Sequence, residues 1–135
     1  MGQRYYYYFV MQVVCDGERS LYLNKRTARD IWRNLYDFPS IKTTTALKYP
    51  LDSIAEAQKA NLFRKLSFSI GTPSAVYRQQ LTHLKVSAWF IPVFLQEPFN
   101  KEMKNSLSLV HHKQLINIPV PRLIARYLQD QNIIK

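Results

Sequence analysis

Ten residues near the N-terminus, YYYYFVMQVV (5–14), limit the fold more than any other stretch of the chain. With the two-residue period of a strand, Tyr5, Tyr7, Phe9 and Met11 fall on one face, and Tyr6, Tyr8 and Val10 on the other. Both faces are apolar, so the strand has to be covered on both sides, as in a layered α/β arrangement. The tyrosines alone would also suit a platform on which bases stack. The apolar residues continue past them, which favours a core strand. Asp16-Gly17 is a tight-turn signal, and Ser20–Asn24 reads as the returning strand.

Further along, KTTTALKYP (42–50) reads as loop, and a helix is expected from about Asp52. Ser53 and Glu56 have capping-box spacing, and Leu51, Ile54, Ala55, Leu62 and Leu66 form its apolar stripe. Val76–Leu95 is β-rich, either one bent strand or two meeting near Leu81-Thr82-His83. Pro92 predicts an edge or a bulge there. Leu115–Ile118 reads as a short strand. The closing PVPRLIARYLQDQ reads as a helix with Val120, Leu123, Ile124, Tyr127 and Leu128 inward and Arg122 and Arg126 exposed. The order β, β, loop, β, α, β, β, short β, α is an α+β layout.

The 135 residues suit one domain, or one piece of a larger protein. Nineteen Lys and Arg face nine Asp and Glu, a net charge of +10, which favours polyanionic partners, nucleic acid first. Cys15 is the only cysteine, so no internal disulfide and no cysteine-rich metal centre can form. No apolar run is long enough for a bilayer, and the N-terminus lacks the order of a secretory signal. Three glycines supply no phosphate loop. His111 and His112, if strand neighbours, would point to opposite faces and make poor joint metal ligands, and the pair reads as an exposed loop pair and not as a metal site. Trp32 and Trp89 read as core or interface anchors.

Lys25-Arg26, a loop, then Ile31-Trp32 and Leu35-Tyr36-Asp37-Phe38-Pro39 resemble the front half of the Nudix fold. More closely, they resemble the C-terminal domain of the MutY adenine DNA glycosylases, with Asp30 where the family has glycine. Gln80–Val86 resembles the Thr-Phe-Ser-His-Phe-x-Leu segment of that family. Pro119–Ile124 resembles the start of its closing helix. The resemblance implies a Nudix-like α/β/α sandwich with a mixed sheet and two main helices. It makes residues 1–135 a single C-terminal domain without the catalytic N-terminal glycosylase domain.

MutY enzymes remove adenine mispaired with 8-oxoguanine, and their C-terminal domain reads the 8-oxoguanine. The resemblance therefore implies a base-excision-repair module that binds double-stranded DNA containing that mispair, with the glycosylase domain as its other partner. Lesion recognition would fall to Leu81, Thr82 and His83, with Thr82 in place of the family serine and Leu81 in place of its phenylalanine. Lys25, Arg26, Arg29, Arg33 and Lys85 would contact the DNA backbone. No cofactor is expected, since the family's iron–sulfur cluster belongs to the N-terminal domain. No membrane partner is expected either. The resemblance places the protein in the bacterial cytoplasm, at the nucleoid.

Nudix hydrolases follow Phe-Pro with a glycine-led box whose carboxylates hold a divalent metal. Here SIKTTTALKYP follows Pro39 without a single acid, and the next helix offers only Asp52 and Glu56. No catalytic or metal residue is therefore expected. The alternatives are a docking domain of the same fold and a divergent Nudix hydrolase with relocated ligands.

Overall fold

A computed structural model describes residues 2–26, 32–63, 66–98 and 107–133. The tyrosine-rich stretch forms β1 (Gly2–Cys15), which turns at Asp16-Gly17 into β2 (Glu18–Lys25). Asp16 and Gly17 both take left-handed φ, 53° and 78°, as a tight two-residue hairpin turn requires. β3 (Tyr36–Asp37) pairs with β2, and β4 (Ser40–Thr43) pairs with the first half of β1. The loop expected at 42–50 is thus partly strand: a mixed Lys/Thr run gives no alternation to read, and the β1 edge captures it.

A 3-10 turn at Pro50–Asp52 leads into α1 (Ser53–Lys59). The expected Ser53–Glu56 capping box is not what caps it. The helical turn begins earlier, and Asp52 accepts the Tyr49 N–H at 3.1 Å, while Ser53 is buried and donates to the Pro50 carbonyl at 2.6 Å. The buried face is Ser53 and Ala57, whereas Leu51 and Ala55 are exposed. The helix stops because Asn61 takes a left-handed φ of 60° and the Leu62 N–H returns to the Ala57 carbonyl.

β5 (Phe68–Ile70), which the sequence did not announce, β6 (Tyr77–Leu81) and β7 (Leu84–Leu95) follow. Of the two readings of Val76–Leu95, two strands are present, joined by Thr82-His83. β7 runs parallel to β1 over most of its length, from Gly2↔Leu84 to Gln12↔Phe94. Pro92 lies inside this central strand. Its carbonyl accepts the Gly71 N–H at 2.9 Å, across the gap between β5 and β6 where no strand pairs with β7. A residue's N–H and C=O leave a strand on the same side, so the proline's missing donor costs no ladder bond. Gly71 is needed there, since a Cβ would come within 2.9 Å of Pro92 and Phe94.

β8 (Leu107–His111) pairs with β2, and a 3-10 helix covers His112–Asn117. The strand expected at Leu115–Ile118 is therefore helical for most of its length. The apolar residue that looked like half of an alternation, Leu115, plugs the core from a 3-10 turn. α2 (Arg122–Asp130) buries Leu123, Ile124, Tyr127 and Leu128, as its periodicity predicts.

The strands make one mixed sheet in the order β3-β2-β1-β7-β5, with β4, β6 and β8 alongside. Tyr6, Tyr8, Val10 and Phe90 meet α2 on one face, and Tyr7, Phe9, Met11 and Ile91 meet α1 on the other. The run that is apolar on both faces is the strand sandwiched by both helix layers. Among the described residues, no helix is long and apolar enough to cross a membrane.

Tyr77 donates to Asp130 at 2.6 Å and so ties β6 to α2. Burial first, and then this hydrogen bond, push its phenol up to about 12 from an ordinary value of 10.0. The folded value is the raised one, so the associated stability is complete below about pH 10 and is lost as pH rises toward 12. Urea midpoints measured at pH 8 and pH 11 are expected to fall with pH, and Tyr77→Phe is expected to show a smaller fall.

Candidate functional site

The residues matched to the family's recognition loop sit at the tip of the β6–β7 hairpin. Leu81↔Leu84 is the last pair of the ladder, and Thr82 and His83 form the two-residue turn. Leu81 is partly buried against the α2-side core, while Thr82 and His83 are exposed. The tip is anchored from behind, because the Gly2 N–H donates to the His83 carbonyl at 3.1 Å. A hydroxyl and an imidazole are thus held in solvent on a short strand connection.

Next to the tip is an open cleft of about 550 Å³, on the α1 side of the sheet. The register builds it: Gln3 lies opposite Lys85, Tyr5 opposite Ser87 and Tyr7 opposite Trp89, with Arg78 and Gln80 presented by β6. Trp89 stacks on Tyr7 with ring centroids 5.0 Å apart and planes 6° apart, and on Tyr5 at 6.3 Å and 23°. The Tyr5 hydroxyl donates to the Gln3 side chain. An aromatic floor lined by two cations and three glutamine amides accepts a flat, hydrogen-bonding, anionic ligand. Lys85 belongs to both features, one residue beyond the hairpin and on the wall of the cleft.

The other cations from the sequence reading do not gather here. The Phe9 N–H donates to the Pro39 carbonyl, which puts the β3–β4 connection seven residues along β1 from Gly2. At ~3.3 Å per residue that is roughly 20 Å from the hairpin tip. Lys25, opposite Tyr36, is exposed at that distant end, and Arg33 is exposed as well. Arg26 is turned inward: its Nη1 meets the buried Asp37 carboxylate at 2.7 Å, and its guanidinium lies 5.8 Å from the Trp32 ring centroid. Arg29 is outside the described residues.

The helix that would carry a Nudix metal box has its two acids engaged. Asp52 caps the Tyr49 amide and exposed Glu56 pairs with Lys59 at 3.6 Å. The one potential metal-binding group of His, Cys, Asp and Glu among the described residues lies elsewhere, at Glu18, His111 and His112. Here the sequence expectation is corrected. The two histidines do not diverge, because β8 ends at His111 and the chain turns into a 3-10 helix at His112. Their ring centroids are 4.6 Å apart. The hydrogen bond from His112 first, and then the Lys113 charge, hold the Glu18 carboxyl below its ordinary value. No local pattern announces this group, since Glu18 and His112 meet only through the β2–β8 pairing.

No family model matches the sequence, and no curated protein does. Solved structures match over nearly the whole chain. A Nudix hydrolase from M. smegmatis, RenU, superposes with a TM-score of 0.68 at 12% identity, covering 97% of this chain and 84% of that one. The chain has the Nudix fold. The C-terminal domain of mouse MUTYH, solved in complex with human PCNA, gives a TM-score of 0.69 at 13% identity, covering 96% and 89%. A C. elegans Ap4A hydrolase in a binary complex gives 0.67 at 10%, covering 98% and 96%. Hydrolases and the MUTYH C-terminal domain thus share one architecture with this chain, and the architecture alone does not choose between them.

Proposed function

We propose that the chain is a DNA-lesion recognition module that reads 8-oxoguanine opposite adenine and works beside a separate glycosylase domain. The observation that carries this reading is the exposed Thr82-His83 turn beside the aromatic, cationic cleft. 8-Oxoguanine carries a hydrogen on N7, where guanine has an acceptor. A threonine hydroxyl accepts from that N7–H and still has a proton to donate. His83 adds a second polar group at the tip, Lys85 offers phosphate contact, and the Tyr5–Trp89 floor suits an unstacked base. The net charge of +10 and the fold shared with the MUTYH C-terminal domain support the same reading.

Nucleotide hydrolysis is the second reading, favoured by the fold shared with RenU and the Ap4A hydrolase. It lacks chemistry at the expected place, since α1 presents no carboxylate pair free to hold a metal. The chain is therefore read as non-catalytic.

The test is an amide NMR titration with two duplexes that differ only in 8-oxoguanine or guanine opposite adenine. Thr82 and His83 are expected to shift at lower concentrations of the lesion duplex. One neutral hydrogen bond, about 0.5–1.5 kcal/mol, gives a preference of roughly 2- to 12-fold, which Thr82→Ala removes. Lys85→Ala is expected to weaken both duplexes equally and to lower the salt slope by about 1. Equal affinity of the unaltered chain for both duplexes sinks lesion reading. Magnesium-dependent cleavage of nucleoside diphosphates would favour the second reading.

A further inference from the structure

The geometry points to a divalent transition-metal site, of the zinc class, formed by Glu18, His111 and His112. It lies outside the hairpin and cleft, and nothing in the lesion-reading proposal requires it. Glu18 opens β2, two residues before Ser20, which pairs with His111 of β8. The turn into the 3-10 helix folds His112 back over Glu18. His112 Nε2 lies 2.5 Å from Glu18 Oε2, and His111 Nε2 lies 3.7 Å from the same oxygen. All three ligand atoms fall within 4.8 Å of one another.

A tetrahedral ion with bonds of about 2.0–2.1 Å spaces its ligand atoms about 3.3 Å apart. The two observed spacings bracket that value, so small rotations of three partly exposed side chains bring them into place. Two imidazoles and one carboxylate form the donor set of zinc sites that keep an open position. Imidazole disfavours magnesium and calcium, which take oxygen ligands. Glu18 and His112 also line a pocket of about 360 Å³, with room for water at a remaining position.

Two local features oppose the ion, and each has a stated outcome. Lys113 Nζ lies 3.5 Å from Glu18 Oε1, but its side chain is 70% exposed and swings into solvent. His111 Nδ1 accepts the Lys113 N–H at 3.2 Å. A metal on Nε2 requires a proton on Nδ1, so that hydrogen bond breaks on binding. The Lys113 amide is therefore a direct reporter.

The experiment titrates the full, tag-free chain with zinc chloride at neutral pH, followed by calorimetry and amide NMR. One ion per chain is expected, with shifts confined to residues around Glu18, His111, His112 and Lys113. Magnesium chloride is expected to produce none. His112→Ala and Glu18→Gln are each expected to weaken zinc by at least about tenfold, since removing even an outer-shell partner costs that much. Cys15→Ser is expected to bind normally; Cys15 is exposed and lies opposite Glu18 in the hairpin. All three are at least partly exposed side chains, and unchanged apo amide spectra establish that the variants fold. Zinc that fails to bind, binds equally well to His112→Ala, or is lost in Cys15→Ser overturns the site. None of these results bears on the duplex titration, so the two proposals fail separately.

Discussion

Phe90→Ala is expected to lower the unfolding free energy by about 3–5 kcal/mol. Phe90 is fully buried in β7, on the α2 side of the sheet. Its ring stacks on Tyr127 of α2 with centroids 4.1 Å apart and planes 9° apart, and on Tyr8 of β1 at 5.3 Å and 19°. Phe38 and Tyr77 meet it edge-on at 6.2 and 5.3 Å. One side chain thus joins the central strand pair, the hairpin strand β6 and the closing helix. Truncation leaves a cavity among rigid rings, which collapse poorly, and removes aromatic pairs of about 0.5–1.5 kcal/mol each. Phe94→Ala, on the same strand but 45% exposed, is the control, with an expected loss below about 1 kcal/mol. Urea unfolding of both variants checks this. Equal losses would mean that the α2 face is not packed as described.

Asp37→Ala is expected to cost about 3–5 kcal/mol by a different route. Its side chain is 2% exposed and that of Arg26 13%, with 2.7 Å between Oδ2 and Nη1. Removing the carboxylate takes a charge partner from a mostly buried guanidinium, and the loss of that charge-assisted contact is the main term. A pair of apolar replacements removes both charges at once. Arg26→Met with Asp37→Leu is therefore expected to recover part of the loss, although each single change is worse. A double change as damaging as Asp37→Ala alone would show that the pair is needed for more than its charge balance. The pair also bears on the functional reading. It closes the β2–β3 connection, the place where the sequence seemed to offer cations to DNA. A guanidinium held by a buried acid stabilises that connection and is not free to meet phosphate.

The sequence by itself determined the elements with strong local signals. Apolar residues on both faces of residues 5–14 demanded cover on two sides, and β1 lies between both helix layers. The 3.6-residue stripe at 120–128 is the buried face of α2, and Asp16-Gly17 is the tight turn. The motif order pointed to the Nudix fold, which superposition bears out. In each case the determining contact is local, or the periodicity states directly which side is buried.

Tertiary structure decided the rest. β5 and β4 are three- and four-residue strands, too short for a readable pattern of their own, and a paired edge accepts them. The helix start moved because Asp52, not Ser53, reaches a free amide. The cleft beside Thr82 needs Gln3 and Tyr5 from one end of the chain and Lys85 and Trp89 from near residue 90. They meet through the parallel β1–β7 ladder, whose partners are about eighty residues apart, and parallel pairing has no local sequence mark. The same limit hid the Glu18, His111 and His112 group. Reading two adjacent histidines as strand neighbours separates them, and only the turn that ends β8 brings them to one carboxylate.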